Sequence, residues 1–471
     1  MTDRPLWQLS ACELSDRIAN GGATVMQAVQ ACVDRMRDRN PHINAVVDDL
    51  ADEALVQAEE YDRILKTSGP IGPLHGVPVT VKENVDQKGK ATPNGVTAFK
   101  DIIAPEDSPI VRSFREAGAI IIGRTNTPEF SMRATTSNEL HGRTYNPWND
   151  WATSGGSSGG ASSAVMSGMG PLSHGNDIAG SLRFPPAATG AVSVKPGLGR
   201  TPAYNPSATA ERGMLAQLMS VQGVIARETR DVRLAMKSLI RYDPHDPWMV
   251  PMPFDGEKPE GKVKVAFTKN TFEFPLHPAV EKALDTARQA LVDAGYIVTD
   301  AEPPAVDVIG REMGSALFGE MKILLGDDIL KYGSKTISEI FQNYYEYFKP
   351  YGETELIKAM ARRSHHIRQW LLFLNEYPLV LTPFLHQPTL AWDRDAQGMD
   401  GVIDMIGSAY YVGSMNYMGL PAGNVSANYN DGLPVGVQIV GRRFREDMIL
   451  DACEAIESRV GIMAEKLFER G

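Results

Sequence analysis

Gly155-Gly156-Ser157-Ser158-Gly159-Gly160 and, further along, His174-Gly175-Asn176-Asp177-Ile178-Ala179-Gly180-Ser181-Leu182-Arg183 are two glycine-flanked turns joined by small residues of helical character. Glycine lets backbone N–H groups approach a ligand closely, and a serine hydroxyl can attack a carbonyl carbon. A serine beside a nest of amide donors is typical of acyl transfer, because the donors can hold the oxyanion that forms. Neither turn offers an evident histidine–carboxylate pair, so we expect the base to come from elsewhere in the chain.

A candidate base lies upstream, in Gly76-Val77-Pro78-Val79-Thr80-Val81-Lys82-Glu83-Asn84. The β-branched residues predict a short strand with a lysine at its end. Such a lysine is either an ion-paired structural residue or a base that its surroundings keep neutral, since desolvation lowers a lysine pKa. Lowering that pKa from about 10.4 to near 7 takes roughly 4–5 kcal/mol. Lys82 becomes a candidate base only in combination with the serine turns.

Together, Lys82 in its strand, the 155–160 loop and the 175–183 turn resemble the amidase signature family. Their order and the separation of Ser157 from Ser181 agree with that family, and weaker similarity extends from Leu9 to the segments 419–423 and 433–438. The resemblance implies an α/β fold with a mixed, largely parallel central β-sheet flanked by helices on both faces. The alternation of predicted strands and helices along the chain favours the same architecture.

The resemblance also implies a Ser–cisSer–Lys triad. Ser181 would be the nucleophile that becomes acylated, and Ser157, joined to Gly156 by a cis peptide bond, would bridge it to the base. Lys82 would draw a proton from Ser181 through the Ser157 hydroxyl and later return one to the leaving amine. The oxyanion hole would consist of the backbone N–H groups of Ile178, Ala179, Gly180 and Ser181.

Residues near the triad carry further expectations. Ser158 is predicted to cap the helix expected over 161–168 or to brace the loop, and Asp177 and Arg183 are predicted to pair across the second turn. The chain departs from the family at Ala179, where glycine is usual. The resemblance places 130–133 along the acyl pocket, where Met132 would offer an apolar wall. Arg133 would either read a negative substrate group or be ion-paired.

Other functions are open at this stage. Gly155–Gly159 also matches the G-x-S-x-G elbow of Ser-His-Asp esterases, but that motif needs a preceding strand and the residues 146–151 are turn-like. None of His365, His366 and His386 has a spacing that favours it as the triad histidine. The amidase subunit of a tRNA-dependent amidotransferase shares the triad, but normally has glutamine where this chain has Phe184. A binding protein without catalysis is disfavoured by the intact triad.

Composition points to a soluble enzyme. The 471 residues include 47 Lys and Arg against 58 Asp and Glu, a net charge of −11 that argues against a nucleic-acid partner. The three cysteines are too few and scattered for a disulfide framework or a zinc site. We expect no metal, no cofactor, no membrane association and no secretory signal, hence a cytoplasmic monomer or homodimer acting on a small-molecule amide, with possible side activity on esters and carbamates or urethanes.

A single domain is predicted over 1–471. It would comprise N-terminal helices over 1–66, a catalytic core with the motifs over 67–243, a helical roof and substrate-pocket region over 244–400, and a C-terminal return to the core sheet over 401–471. The predicted strands are 77–81, 119–122, 263–267, 296–298, 379–382 and 435–440; the predicted helices include 110–117, 278–294 and 447–457. Capping boxes are predicted at Ser10 and Thr24.

Overall fold

The computed structural model describes residues 4–470, so the extreme ends of the predicted domain lie outside the described residues. Its strands are β1 Val46–Asp49, β2 Pro78–Lys82, β3 Ile120–Thr125, β4 Ser137–Asn138, β5 Gly142–Arg143, β6 Leu172–Asp177, β7 Val192–Lys195, β8 Val221–Ala226, β9 Lys264–Phe267, β10 Ile297–Asp300, β11 Leu379–Pro383, β12 Ala422–Asn430 and β13 Leu433–Gly441. Strands β4 and β5 form a small separate hairpin, and the others form one sheet.

The helices surround this sheet. They are α1 Ala11–Ala19, α2 Val25–Ile43, α3 Ala51–Ser68, α4 Pro109–Glu116, α5 Gly159–Met166, α6 Phe184–Thr189, α7 Met214–Met219, α8 Thr229–Leu239, α9 Pro278–Asp293, α10 Val306–Tyr332, α11 Lys335–Phe348, α12 Glu353–Glu376, α13 Gly398–Val402, α14 Tyr410–Met418, α15 Glu446–Val460 and α16 Met463–Phe468. Both predicted capping boxes are present, at Ser10 before α1 and Thr24 before α2.

The strand order across the large sheet is β1-β3-β2-β6-β8-β7-β12-β13-β11-β9-β10. Four neighbouring pairs are parallel and six are antiparallel within the part of the chain that the structure describes. The predicted mixed sheet is therefore confirmed, but "largely parallel" holds only toward its two ends. The antiparallel centre includes the β12–β13 hairpin, which a strand–helix alternation does not predict.

Helices cover both faces of the sheet, as expected, and the strands show this by alternation. On β3, Ile121 lies in the core that also contains residues of α4, α8 and α9, whereas Ile120 and Ile122 lie in the core that contains residues of α2 and α3. Strand β9 does the same, with Val265 in the first core and Ala266 under the helices α10 to α12. Both faces are apolar because both are buried, which is typical of α/β enzymes.

The region 244–400, where a helical roof is predicted, contains the long helices α10, α11 and α12. Of its aromatic residues, Tyr344 and Phe348 are buried in its own core. Phe130, Met132 and Ile178, from the segments next to the predicted site, pack against the edge of this core. The helices therefore adjoin the site. None of the helices in residues 4–470 is long and apolar enough to cross a membrane.

Candidate active site

Lys82 is the last residue of β2 and is fully buried. Strand β2 lies between β3 and β6 and runs parallel to both, so its end adjoins the end of β6. The Nζ atom lies 2.7 Å from Ser157 Oγ, 3.1 Å from Ser158 Oγ and 2.8 Å from Asn176 Oδ1. Burial lowers the pKa of Lys82 well below its usual value, although the charges of Asp177 and Glu83 oppose that shift.

Ser157 follows a cis peptide bond from Gly156. A side chain at Gly156 would collide with the backbone carbonyl of Arg133, so the loop can take this path only with glycine there. Thr127 Oγ1 donates to the Ser157 carbonyl at 3.0 Å. The loop thereby places the Ser157 hydroxyl on the lysine, and the predicted contact between these two residues is present.

Ser158 stands at the N-cap of α5, but its side chain makes no capping hydrogen bond. The hydroxyl instead contacts Lys82 Nζ and donates to the Asn176 carbonyl at 3.4 Å. Of the two predicted roles, capping is therefore wrong, and bracing of the loop is the one observed. A buried amine at the start of a helix competes with the helix for the serine oxygen, and here the amine takes it.

The turn that carries Ser181 begins where β6 ends. Asp177 accepts from the backbone N–H of Gly180 at 2.6 Å and of Leu182 at 3.0 Å, and Arg183 Nε donates to it at 3.0 Å. This contact confirms the predicted pair of Asp177 and Arg183, and both side chains are fully buried. Arg183 also donates to Gln438 Oε1 on β13 at 2.8 Å, so the turn is fixed to the centre of the sheet.

The predicted oxyanion donors differ in their availability. Gly180 N–H is already bound to Asp177, so in this conformation it is no free donor. The N–H groups of Ile178, Ala179 and Ser181 make no backbone hydrogen bond within residues 4–470 beyond those of regular strands and helices. Ile178 and Ala179 are half-buried at the surface of the site. Three of the four predicted donors therefore remain.

Ser181 itself is 9% exposed, and its hydroxyl forms no hydrogen bond among the described residues. The hydroxyl is therefore unengaged by any protein group in the described chain. The structure joins Lys82 to Ser157 by direct contact and places Ser181 on the turn after the neighbouring strand.

Arg133 does not offer its charge to a substrate. Its guanidinium donates to Asp395 at 3.1 Å and 2.8 Å and also to Asp393. The side chain is 3% exposed and that of Asp395 is fully buried, so the ion-paired alternative is the one observed. Met132, next to it, is half-buried against the helical core, a position that suits an apolar wall.

A polar cluster that sequence reasoning missed continues from the lysine. Asn176 Nδ2 donates to Asn84 Oδ1 at 2.9 Å, and Asn84 Nδ2 donates to Asn176 Oδ1 at 3.2 Å and to Ser131 Oγ at 2.9 Å. All three residues are half-buried. The signal was available, because Asn84 follows Lys82 by two positions and Asn176 lies within the second turn.

Within the described residues, no histidine ring forms a hydrogen bond with Ser157 or Ser181. His174, the nearest in sequence, contacts Gln222 Oε1 at 2.8 Å, and burial lowers its pKa to about 3. Nor, in residues 4–470, does a strand directly precede the G-x-S-x-G match. These observations disfavour the Ser-His-Asp esterase. Phe184, which stands where the amidotransferase subunit normally has glutamine, packs edge-on against Phe384 in an apolar cluster.

Comparison with known proteins agrees with this geometry. A family model described as Amidase matches residues 27–450. The chain belongs to the amidase family. Membership confirms the predicted enzyme class, a hydrolase acting on the carbon–nitrogen bond of an amide.

The relatives favour a free-standing amidase. The chain is 44% identical over 470 residues to an indoleacetamide hydrolase of Bradyrhizobium diazoefficiens, a match that covers 99% of this chain and 89% of that protein. It is 30% identical over 475 residues to an acylamidase of Rhodococcus erythropolis, covering 97% of each chain. The crystal structure of a bacterial aryl acylamidase superposes with a TM-score of 0.84 at 25% identity, covering 98% of this chain and 99% of that one.

Proposed function

We propose that this amidase cleaves its substrate through an acyl-enzyme on Ser181, with Lys82 as base and Ser157 as the proton bridge. The observation that carries the proposal is the contact between a fully buried amine and the Ser157 hydroxyl at 2.7 Å. Burial disfavours the ammonium form, so the amine keeps a lone pair available for a proton. A neutral lysine beside a hydroxyl is the arrangement that general-base catalysis requires.

In the proposed reaction, Ser181 Oγ attacks the substrate carbonyl carbon as its proton passes to Ser157 Oγ and the Ser157 proton passes to Lys82 Nζ. The N–H groups of Ile178, Ala179 and Ser181 would hold the oxyanion, each for about 3–4 kcal/mol of transition-state stabilisation. Collapse breaks the C–N bond, and the lysine returns a proton through Ser157 to the leaving amine. Water then hydrolyses the Ser181 ester by the same proton path and releases the carboxylic acid.

For the substrate we propose the primary amide of an arylacetic acid, with ammonia as leaving group. The support is the 44% identical indoleacetamide hydrolase, together with the apolar side chains of Met132 and Ile178 beside the site. Anilides, esters and carbamates would be poorer substrates. A location in the cytoplasm, assembly as a monomer or homodimer, and action without nucleic acid, metal or cofactor remain predictions.

The test combines a substrate panel with two variants. Specificity constants for indole-3-acetamide, phenylacetamide, acetanilide, an ester and a carbamate are expected to rank the primary arylacetamides first. Ser181→Ala should abolish turnover of all of them, and Lys82→Ala should lower kcat by about 10²–10⁴-fold or more at neutral pH. Substantial activity in folded Lys82→Ala would remove the base assignment. Glutamine as the best substrate would instead favour a role in a tRNA-dependent amidotransferase.

A further inference from the structure

We propose that Asn176, held in place by Asn84, is a positioning residue that turns the lone pair of a neutral Lys82 toward the Ser157 hydroxyl. The inference rests on the proposed function, because it gives Asn176 a task only if Lys82 is the base. It goes beyond that function in explaining how a freely rotating amine comes to face the correct one of two adjacent serines.

The direction of the lone pair depends on the groups that surround Lys82 Nζ. Three side-chain oxygens contact it, those of Ser157, Ser158 and Asn176, at 2.7, 3.1 and 2.8 Å. A neutral amine has two N–H donors and one lone pair. Only one of the three neighbours can therefore give it a proton, and the other two must accept. Catalysis requires that the proton donor be Ser157.

Asn176 fixes one of the acceptors. A carboxamide oxygen can accept but never donate. The orientation of this carboxamide is set by its reciprocal bonds with Asn84, at 2.9 and 3.2 Å. Asn84 is in turn tied to Ser131 Oγ at 2.9 Å and, through its backbone carbonyl, to Asn205 Nδ2 at 3.0 Å. Asn176 Oδ1 therefore takes one N–H of the lysine permanently.

Ser158 accepts the other N–H of Lys82. Its hydroxyl proton points to the Asn176 carbonyl, 3.4 Å away, so its oxygen is left to accept from Nζ. Both N–H groups of the lysine are then engaged, and the lone pair faces the remaining neighbour, Ser157. Asn176 contributes twice to this result, once through its side chain and once through its backbone carbonyl.

The charge of the side chain at position 176 matters as much as its shape. Two carboxylates near Lys82, those of Asp177 and Glu83, favour its ammonium form. The third titratable group, His174, is buried, and burial lowers its pKa to about 3. Asp177 is engaged by Arg183, and Glu83 by the His141 ring at 2.9 Å and by Gly95 N–H at 3.0 Å. A neutral carboxamide supplies an acceptor to Nζ without adding a third negative charge, which would favour the ammonium form.

Asn176→Asp tests this directly. The carboxylate can still accept from Nζ, but it favours the ammonium and so raises the lysine pKa. We expect the acid limb of the kcat/KM–pH profile to move up by about one unit or more, so that the rate falls about tenfold at pH values below the limb and recovers at alkaline pH. Asn176→Leu removes the acceptor, and kcat should fall by about 10²-fold at every pH while KM changes little.

Exposed Asn149, whose side-chain oxygen accepts the backbone N–H of Trp151, provides the matched control. Asn149→Asp adds the same charge and should leave the pH profile in place.

An Asn176→Asp profile that coincides with that of the unmodified enzyme would overturn the inference, as would an unchanged kcat in Asn176→Leu. If the leucine variant does not fold, as judged by thermal melting, the aspartate profile decides alone. Lys82→Ala separates the two proposals: if it stays active, the base itself is lost, whereas an inactive Lys82→Ala with an unshifted Asn176→Asp removes only the role of Asn176.

Discussion

Arg133 illustrates how burial determines the task of a charged residue. From the sequence, a substrate-binding role and an ion pair were both open, because a local pattern does not reveal a partner that lies at position 395. The structure supplies that partner, since Asp395 is fully buried and binds the guanidinium with both oxygens. A buried guanidinium with two carboxylates is a structural link between the site and the segment that contains Asp393 and Asp395.

Asp395→Ala is therefore expected to destabilise the fold. It leaves a buried guanidinium with only part of its compensation, and breaking such a pair typically costs about 3–5 kcal/mol. Urea denaturation would show this as a lower midpoint. The exposed pair of Arg288 and Asp300 is the control, and Asp300→Ala should change the midpoint far less because solvent screens that pair. Equal shifts in the two variants would contradict the structural role given to Arg133.

The serine turns show the limits of motif reasoning at single positions. The family resemblance implied that Lys82 meets the 155–160 loop, and the contact between Lys82 and Ser157 is present. It could not predict that Gly180 N–H is bound to Asp177, or that Ser158 contacts the lysine instead of capping α5. Those outcomes depend on which of several nearby acceptors is closest, and that follows only from the packed backbone.

At the scale of elements, strands and helices with strong local signals were predicted well. The predicted strand 379–382 and helix 278–294 agree with β11 and α9 to within a residue at each end. Pairing was predicted less well, because direction depends on contacts between distant segments. One antiparallel pair did have a local signal, the Asp431-Gly432 dipeptide between β12 and β13. Both residues have positive φ, 47° and 82°, as in the tight hairpin turns that favour Asp-Gly.

This hairpin turn gives a test of what holds the centre of the sheet together. Gly432→Ala forces an alanine into the left-handed region, and we expect a loss of about 1–2 kcal/mol in unfolding free energy. Among residues 4–470, only Arg470 lies within reach of the added methyl group, at 3.7 Å, so the cost would be conformational. Gly432→Asn should cost less, because asparagine tolerates this conformation. If asparagine and alanine destabilise equally in chemical denaturation, the turn conformation is not the cause.

At the scale of the whole molecule, one contact between α15 and the catalytic half is made by a buried acid. Glu457 on α15 accepts from the backbone N–H of Thr229 at 2.9 Å and from its hydroxyl at 3.0 Å, at the start of α8. Burial raises the pKa of Glu457 to about 8, and the two hydrogen bonds oppose this only in part. The folded protein therefore binds a proton here that the unfolded chain releases near pH 4.5.

That difference makes stability depend on pH with a definite sign. Between about pH 4.5 and 8 the native state holds one proton more than the unfolded chain at this position, so Glu457 lowers stability progressively as the pH rises. Glu457→Gln keeps an acceptor for Thr229 and removes the titration. We expect it to melt at the same temperature as the unmodified protein near pH 4.5 and to be more stable near pH 8, by on the order of 1 kcal/mol or more. Glu139→Gln, at an exposed position, should show no such pH-dependent gain. Melting curves of Glu457→Gln and the unmodified protein that differ equally at both pH values would mean that this carboxyl is already ionised in the folded enzyme.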